Sequence, residues 1–230
     1  NVPRDYWTQV IDIELPPIVR FERQGGGKEA IENAAKLLSK AKFPVILSGA
    51  GVVLGGAIDE CKKLAEKLDA PVCNGYQHND SFPGSHPLAV GPLGYNGSKA
   101  AMELISKADV VLALGTRLNP FSTLPGYGID YWPKKATIIQ VDMNPDRIGL
   151  TKKVSVGICG DAKQVAQQIL DKLSSDAGNT GREERKNLIH KTKSAWLQTL
   201  SGLDHEDDDP GTVWNKEARE RDKDRMSPRQ

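Results

Sequence analysis

PVILSGAG at residues 44–51 is the first of three apolar runs that alternate with amphipathic segments along the chain. The other two are DVVLALGTR at residues 109–117 and ATIIQVDMNP at residues 136–145. Strands that are apolar on both faces must be covered on both sides, so they indicate a doubly wound parallel sheet. Ligands of such sheets bind beyond the carboxyl ends of the strands. Because each run ends in glycine or in polar and charged residues, this edge of the sheet is the predicted ligand site.

The rest of the pattern predicts one α/β domain between residues 28 and 173, with a Rossmann-like sheet of six parallel strands. Helices are predicted at 28–40, 57–68, 98–107 and 162–173, and further strands at 70–74 and 154–159. Segments 75–97 and 119–133 are predicted to be long loops, which usually carry function in a compact domain. We expect residues 1–27 to end a preceding domain and form a linker, and residues 174–230 to form a polar linker with some helix.

Charge and composition argue against several classes of function. The chain has 230 residues, and its 31 Lys and Arg against 30 Asp and Glu give a net charge of +1. This balance predicts no binding to nucleic acid or to a membrane surface, and we expect a cytoplasmic protein. The three cysteines, Cys61, Cys73 and Cys159, are too far apart for a zinc motif or a disulfide framework, so we expect core thiols and no metal site.

Both ends suggest a piece of a longer protein. The chain opens at Asn1 without an initiator methionine, and Ser227 followed by Pro228 is typical of the start of a helix that the chain does not contain.

The glycine turn after the first strand is similar to a dinucleotide-binding fingerprint, but its third glycine, Gly55, comes one residue late. The second strand ends in Asn74, where an acidic residue would bind the ribose. We therefore favour glycines that permit tight packing over a nicotinamide site, although a nicotinamide-dependent oxidoreductase stays open as a rival. A nucleotide-binding or deacylase-like module is a second rival, for which no suitable histidine or cysteine set is visible.

Three polar residues are candidates for chemistry. Arg117 directly follows a buried strand, where a guanidinium either binds phosphate or carboxylate or forms a structural ion pair. His78 lies in a polar loop, where three roles stay open: proton carrier, anion ligand and solvated side chain. Asp161 is predicted to cap a helix, because Ala162 replaces the last glycine of a metal-binding Gly-Asp-Gly.

The motifs together resemble the central domain of thiamine-diphosphate-dependent enzymes such as acetohydroxyacid synthase, pyruvate oxidase and benzoylformate decarboxylase. The resemblance rests on GPLGYNGSK at 91–99, ADVVLALGTRL at 108–118 and IIQVDMNP at 138–145. In relatives that carry FAD or ADP, the matching residues surround the nucleotide. The implied crevice residues are Gly49, Ala50, Gly51, Gly115, Thr116, Arg117, Asp142, Asn144, Gly160 and Asp161.

Residues 1–7, 75–83 and 226–230 further resemble an acyltransferase branch that expels sulfite from a small sulfonated aldehyde and transfers the resulting acetyl group to phosphate. The resemblance implies a homo-oligomeric enzyme whose thiamine diphosphate and magnesium are bound outside this chain. The activating glutamate would belong to a pyrimidine-binding domain upstream, and the Gly-Asp-Gly to a diphosphate-binding domain downstream. The chain would therefore contain no catalytic residue and would be inactive alone.

The loop departs from the synthase pattern at three positions, Gln77, His78 and Asn79, which makes them candidates for sulfonate or phosphate recognition. The implied reaction has no redox step, so FAD or ADP in the crevice would not be needed for it. The alternative is the FAD- or ADP-binding central domain of an acetolactate synthase-like enzyme.

Overall fold

The computed structural model describes residues 3–10, 12–18 and 22–202. The strands are β1 (Pro44–Ser48), β2 (Val72–Asn74), β3 (Ala89–Pro92), β4 (Val110–Leu114), β5 (Thr137–Asp142) and β6 (Val156–Cys159). The helices are α1 (Lys28–Lys40), α2 (Ala50–Gly55), α3 (Ile58–Leu68), α4 (Lys99–Ile105), α5 (Ala162–Lys172) and α6 (Arg182–Gly202). Single 3-10 turns lie at Arg4–Tyr6, Asn79–Ser81, Pro120–Ser122 and Pro145–Arg147.

The six strands form one sheet in the order β3-β2-β1-β4-β5-β6, and every neighbouring pair is parallel. This confirms the predicted Rossmann-like α/β fold. Every residue of β1, β2 and β4 is buried, as expected for strands covered on both faces. The chain leaves β1 toward one side of the sheet and returns through β4 on the other, so the order reverses between these two strands. That switch point is where ligands of doubly wound sheets bind.

Helices cover the sheet from both sides. Helix α5 packs against α1 and α3, whereas α6 packs against α4. The N-terminus of α5 is fixed by Asp161, whose side chain accepts hydrogen bonds from the backbone N–H groups of Lys163 and Gln164. The predicted helix cap is therefore confirmed. No helix within the described ranges has the length and apolar character needed to cross a bilayer.

The sixth strand lies where a continuous loop was predicted. Segment 75–97 contains β3, which pairs with β2 at the edge of the sheet through Ala89, Gly91 and Pro92. Its four residues include a glycine and a proline, which mark edge strands and bulges rather than regular strands. A register shift between Val72 and Cys73 accommodates this irregular partner. A glycine turn was expected after β1, but the structure has the short helix α2 at Ala50–Gly55.

The expectation of core cysteines holds for Cys61 and Cys73, which are buried, and is wrong for Cys159, which is exposed. Cys159 ends β6, where burial alternates because only one face of this edge strand is covered. Burial raises the pKa of the Cys61 thiol to about 12 and raises that of Cys73 further. The two buried thiols are therefore protonated at neutral pH.

Segment 174–202 contains α6, where a polar linker with some helix was expected, and a buried guanidinium helps to hold this helix against the domain. Arg185 is only 1% exposed. It donates five hydrogen bonds to backbone carbonyl oxygens, those of Lys42 (2.5 Å), Gly178 (2.6 Å), Leu68 (2.9 Å), Asp69 (2.9 Å) and Thr180 (2.9 Å). Two of these carbonyls close the C-terminus of α3, where a cation is favoured. The division of the chain into domains stays a prediction.

Candidate functional site

A cavity of about 620 Å³ opens at the carboxyl ends of the strands, at the switch point between β1 and β4. Most of the predicted crevice residues line it: Ala50, Gly51, Gly115, Thr116, Arg117, Asp142, Gly160 and Asp161. The loop candidates Gln77 and His78 line it as well. Gly49, Asn144 and Asn79 do not. The parallel sheet thus brings together residues that are far apart in sequence, although the role of each one stays a prediction.

The glycines after β1 and β4 are required by close packing of the two strand ends. A Cβ on Gly51 would lie 2.7 Å from the Cα of Gly115, and a Cβ on Gly49 would lie 2.5 Å from the Cβ of Thr116. Gly115 also has a φ of +60°, which favours glycine. The Gly51 N–H donates to the Gly115 carbonyl over 2.8 Å. These contacts explain the glycines without a bound nucleotide, as the packing interpretation of the sequence expected.

Arg117 is presented at the mouth of the cavity by a constrained turn. The next residue, Leu118, is buried and has a φ of +53°, a conformation that non-glycine residues rarely adopt. The Leu118 N–H donates to the Thr116 hydroxyl over 3.2 Å, and the Thr151 hydroxyl donates to the Leu118 carbonyl over 2.8 Å. Backbone strain of this kind persists only where surrounding contacts enforce it. The turn therefore fixes the backbone from which the Arg117 side chain projects.

Two guanidinium groups at the cavity have no carboxylate partner among residues 3–10, 12–18 and 22–202. Arg117 and Arg147 are both exposed, and neither forms an ion pair with a described residue. The structural ion pair considered for Arg117 is therefore not formed within that part of the chain. Unpaired guanidinium groups at a concave surface favour an anionic ligand.

The opposite wall of the cavity carries a carboxylate that is already engaged. Asp161 is 2% exposed, and its carboxylate accepts from the first turn of α5 while lying 3.4 Å from the Arg23 guanidinium. Arg23 also donates to the carbonyl oxygen of Gly55 at the end of α2, over 2.6 Å. Segment 22–26 therefore folds back along the rim of the crevice, and Arg23 neutralises the buried carboxylate.

Asp142 and Asn144 shape the turn after β5. The Asp142 carboxylate accepts from the Asn144 N–H over 2.9 Å, and the Asn144 side-chain carbonyl accepts from the Asp146 N–H over 2.9 Å. Asn144 thus caps the 3-10 turn Pro145–Arg147, and its side chain lies outside the cavity. Within the cavity, this turn contributes Asp142, Met143 and Arg147.

The loop from Gly75 to Asp80 rests on a buried polar network. The Asn74 carboxamide donates to the Ser81 hydroxyl over 3.0 Å and to the His78 carbonyl over 3.2 Å. Ser81 and Ser48 in turn exchange hydroxyl-to-carbonyl hydrogen bonds of 3.1 and 3.2 Å. The backbone of the loop is therefore anchored, and His78 lines the cavity. Gln77 is exposed and has a φ of +67°.

Sequence reasoning missed several residues of the cavity: Arg23, Leu54, Gly75, Tyr76, Asn119, Ser122, Met143 and Arg147. Arg23 lies in a predicted linker, and only tertiary folding reveals its ion pair. Segment 119–133 was predicted to be a long loop, but nothing local indicated that the Ser122 hydroxyl accepts from the Tyr76 N–H over 2.9 Å. Arg147 could have been predicted as a cavity residue, because it lies two residues after the motif IIQVDMNP at 138–145.

The described residues contain no group of three or more His, Cys, Asp or Glu that could hold a metal ion. Of the two carboxylates in the cavity, Asp161 is already engaged by the α5 cap and Arg23, and Asp142 accepts from the Asn144 N–H. This part of the chain thus does not fit a magnesium diphosphate group.

Comparison with known proteins gives the family. The family model described as "Thiamine pyrophosphate enzyme, central domain" matches residues 31–169. A "Probable sulfoacetaldehyde acetyltransferase" of Rhizobium meliloti (strain 1021) is 78% identical over 100% of this chain, which covers 39% of the relative. A "Sulfoacetaldehyde acetyltransferase" of Roseovarius nubinhibens is 75% identical over 100% of this chain and 38% of the relative. The chain therefore spans less than half the length of these relatives.

A more distant relative is a "Probable acetolactate synthase large subunit" of Methanocaldococcus jannaschii, 35% identical over 88% of this chain and 33% of that protein. Among solved structures, benzoylformate decarboxylase from Polynucleobacter necessarius matches with a TM-score of 0.60 and 22% identity, over 77% of this chain and 33% of that one. At that identity the structural likeness shows the fold alone. The family match over most of the domain agrees with the resemblance that the motifs carry, and the chain belongs to the thiamine pyrophosphate enzyme central-domain family.

Proposed function

We propose that this chain is the central domain of a sulfoacetaldehyde acetyltransferase, which converts sulfoacetaldehyde and phosphate into acetyl phosphate and sulfite. The observation that carries the proposal is the identity of 78% and 75%, over the full chain, to two proteins of that name. The relative named as an acetolactate synthase is only 35% identical. The enzyme would be a homo-oligomeric transferase with this chain as one of its domains.

Thiamine diphosphate and magnesium are assigned to parts of the enzyme outside this chain. The support is the lack of a metal-ligating cluster among the described residues, together with the engagement of Asp161 by the α5 cap and by Arg23. The central domain then contributes structure and substrate contacts, and it would not catalyse the reaction alone.

The loop residues Gln77 and His78 are proposed to bind the sulfonate or phosphate. Both line the cavity, and the unpaired guanidinium groups of Arg117 and Arg147 line it too. Neutral or cationic donors on an anchored loop suit a tetrahedral anion, because they can donate hydrogen bonds to several of its oxygen atoms. Asn79 is a weaker candidate, since its side chain lies outside the cavity.

A FAD- or ADP-binding domain of an acetolactate synthase-like enzyme is the second candidate, favoured by the 35% identity to the Methanocaldococcus jannaschii protein. The packing of Gly49, Gly51 and Gly115 against neighbouring backbone removes one argument for a nucleotide, because these glycines have a structural reason of their own. The proposed acetyl transfer also has no redox step that would need a flavin.

The test uses the full-length enzyme with thiamine diphosphate and magnesium added. Sulfoacetaldehyde and phosphate should yield equal amounts of sulfite and acetyl phosphate, and product formation should stop when phosphate is omitted. Formation of acetolactate from pyruvate, without release of sulfite, would instead establish the second candidate. Mass measurement of the native enzyme checks the proposed homo-oligomer.

A further inference from the structure

One lysine of α6 is held by carbonyl oxygens rather than by a carboxylate. Lys193 is half-buried, and its Nζ donates to the carbonyl oxygens of Pro87 over 2.8 Å and of His86 over 3.3 Å. It forms no ion pair with an acidic side chain within residues 3–10, 12–18 and 22–202. By contrast, a carboxylate oxygen lies within 3.9 Å of the Nζ of several other lysines: Lys62, Lys99, Lys134, Lys163, Lys172 and Lys186.

The two carbonyl contacts suit a neutral amine at Lys193. An ammonium group has three N–H donors and no acceptor, whereas a neutral amine has two N–H donors and one lone pair. When both N–H groups donate to the carbonyls of His86 and Pro87, the lone pair points away from them. The Nζ is not enclosed, because its hydrogen bond to Pro87 lies at the surface. The geometry therefore directs the lone pair toward solvent.

Burial acts in the same direction as these contacts. It lowers the pKa of Lys193 from its ordinary value, because the charged form loses hydration. At neutral pH a larger fraction of this amine is therefore uncharged than for an exposed lysine. A lysine amine that is desolvated in this way is an activated nucleophile.

The helix around Lys193 attracts small anions. Segment 185–193 (RKNLIHKTK) contains four Lys and Arg residues and no Asp or Glu. The nearest acidic groups on the elements packed against it are already paired. On α3, Glu66 lies 3.2 Å from the His86 ring, and on α4, Glu103 lies 3.9 Å from Lys99. The net positive charge raises the local concentration of an anionic reagent.

We propose that Lys193 is a site of acetylation by acetyl phosphate. This inference rests on the proposed function, in which acetyl phosphate is the product. The Nζ lone pair attacks the acetyl carbonyl carbon and forms the N–C bond of an amide. The C–O bond to phosphorus breaks, and the phosphate leaves with the bonding electron pair and takes up one amine proton. The products are acetyl-lysine and inorganic phosphate, and no oxidant or reductant is needed.

Acetylation would weaken the attachment of α6. It removes the positive charge and leaves a single N–H for the two carbonyl oxygens of His86 and Pro87. It also adds an acetyl group where the Nζ now contacts the segment that precedes β3. Accumulated product would therefore loosen α6 from this segment.

The test incubates the full-length enzyme with ¹³C-labelled acetyl phosphate and measures the label at each lysine by peptide mass spectrometry. Lys191, exposed on the same helix, is the matched control. At neutral pH we expect label at Lys193 to appear at least about threefold faster than at Lys191. The ratio should narrow as the pH approaches 10.5, the ordinary lysine pKa, because the exposed amine then becomes neutral as well. Equal rates at neutral pH, or a ratio that does not change with pH, would overturn the inference.

Two further measurements separate the site from the reaction. Turnover of ¹³C-labelled sulfoacetaldehyde with phosphate should also label Lys193. Label from added acetyl phosphate without any release of sulfite would refute the proposed reaction and not the site. After treatment with acetyl phosphate, the parent enzyme should lose more of its melting temperature than Lys193→Arg, and equal losses would refute the loosening of α6.

Discussion

Replacement of Arg185 by alanine should destabilise the domain strongly, because one side chain satisfies five carbonyl oxygens in three segments of the chain. Each hydrogen bond from a charged donor contributes about 1.5–3 kcal/mol, but burying the guanidinium costs part of that sum. Removing the side chain leaves buried carbonyl oxygens without a donor at about 1–3 kcal/mol each, and water can replace the donor at the partly exposed ones, so the net loss is about 3–5 kcal/mol. We expect Arg185→Ala to lower the free energy of unfolding by that amount.

Two further variants make the test specific. Arg185→Lys keeps the charge but offers three donors in place of five, so it should lose about half as much stability. Lys186→Ala is the matched control on the same helix. Its side chain is partly exposed and lies 3.9 Å from Glu183, and surface pairs of this kind contribute less than about 1 kcal/mol.

Urea unfolding of the 230-residue chain, followed by circular dichroism, measures these differences. With a slope of about 2 kcal/mol per molar urea, the midpoint of Arg185→Ala should fall by about 1.5–2.5 M. If Arg185→Ala is too unstable to purify, the other two variants still test the reasoning. The unfolding free energy of Arg185→Lys should be lower than that of the Lys186→Ala control. An unfolding free energy of Arg185→Ala within about 1 kcal/mol of the parent would show that the five bonds do not hold α6 in place.

Four other outcomes follow from the structure. Calorimetric titration of the isolated chain should detect no binding of thiamine diphosphate with magnesium, and the chain should release no sulfite; stoichiometric binding would contradict the domain assignment. In the full-length enzyme, His78→Ala should lower kcat/KM about ten- to a hundredfold for one anion, whereas values within twofold of the parent would leave the loop a scaffold. Gly115→Ala should lower the melting temperature more than Gly149→Ala, since both have positive φ but only position 115 meets backbone within 3 Å; equal losses would refute the packing argument. At pH 8 a disulfide reagent should modify Cys159 alone, because burial raises the pKa of Cys61 to about 12 and keeps it protonated; three fast equivalents before urea is added would refute this.

The elements that were predicted correctly are those whose local pattern and tertiary role agree. The strands β1, β4 and β5 are largely apolar because helices cover them on both sides, and that burial is visible as runs in which Ser48 and Gln140 are the buried polar exceptions. Asp161 followed by an amphipathic run is sufficient to predict the start of α5, because the cap is a local contact.

The elements that were missed depend on distant contacts. Strand β3 has four residues, with Gly91 and Pro92 among them, and it becomes a strand only because β2 offers an edge. Some helix was predicted in the polar segment that contains α6, but its docking through Arg185, the buried Ile189 and the Lys193 hydrogen bonds to the His86 and Pro87 carbonyls was not. No periodicity could indicate that the distant carbonyl oxygens of Lys42, Leu68 and Asp69 converge on the Arg185 side chain.

The position of the cavity was predictable, because the carboxyl ends of parallel strands meet at one edge and the order reverses between β1 and β4. The role of each residue that lines the cavity was not predictable. The backbone N–H groups of Gly49, Gly51 and Gly115 donate to the carbonyl oxygens of Leu114, Gly115 and Val141, so these three N–H groups are not free to bind a phosphate. Asp161 is committed to the α5 cap and to Arg23.

What remains for a ligand lies on the other side of the cavity, where Arg117 and Arg147 are unpaired among the described residues and Gln77 and His78 border the same space. An anion bound there would be recognised by side chains on loops rather than by a glycine-rich backbone cradle. This explains why the dinucleotide fingerprint fails in this sequence although the sheet has the order of a dinucleotide-binding fold. Specificity can then change through the loops while the strand ends stay packed.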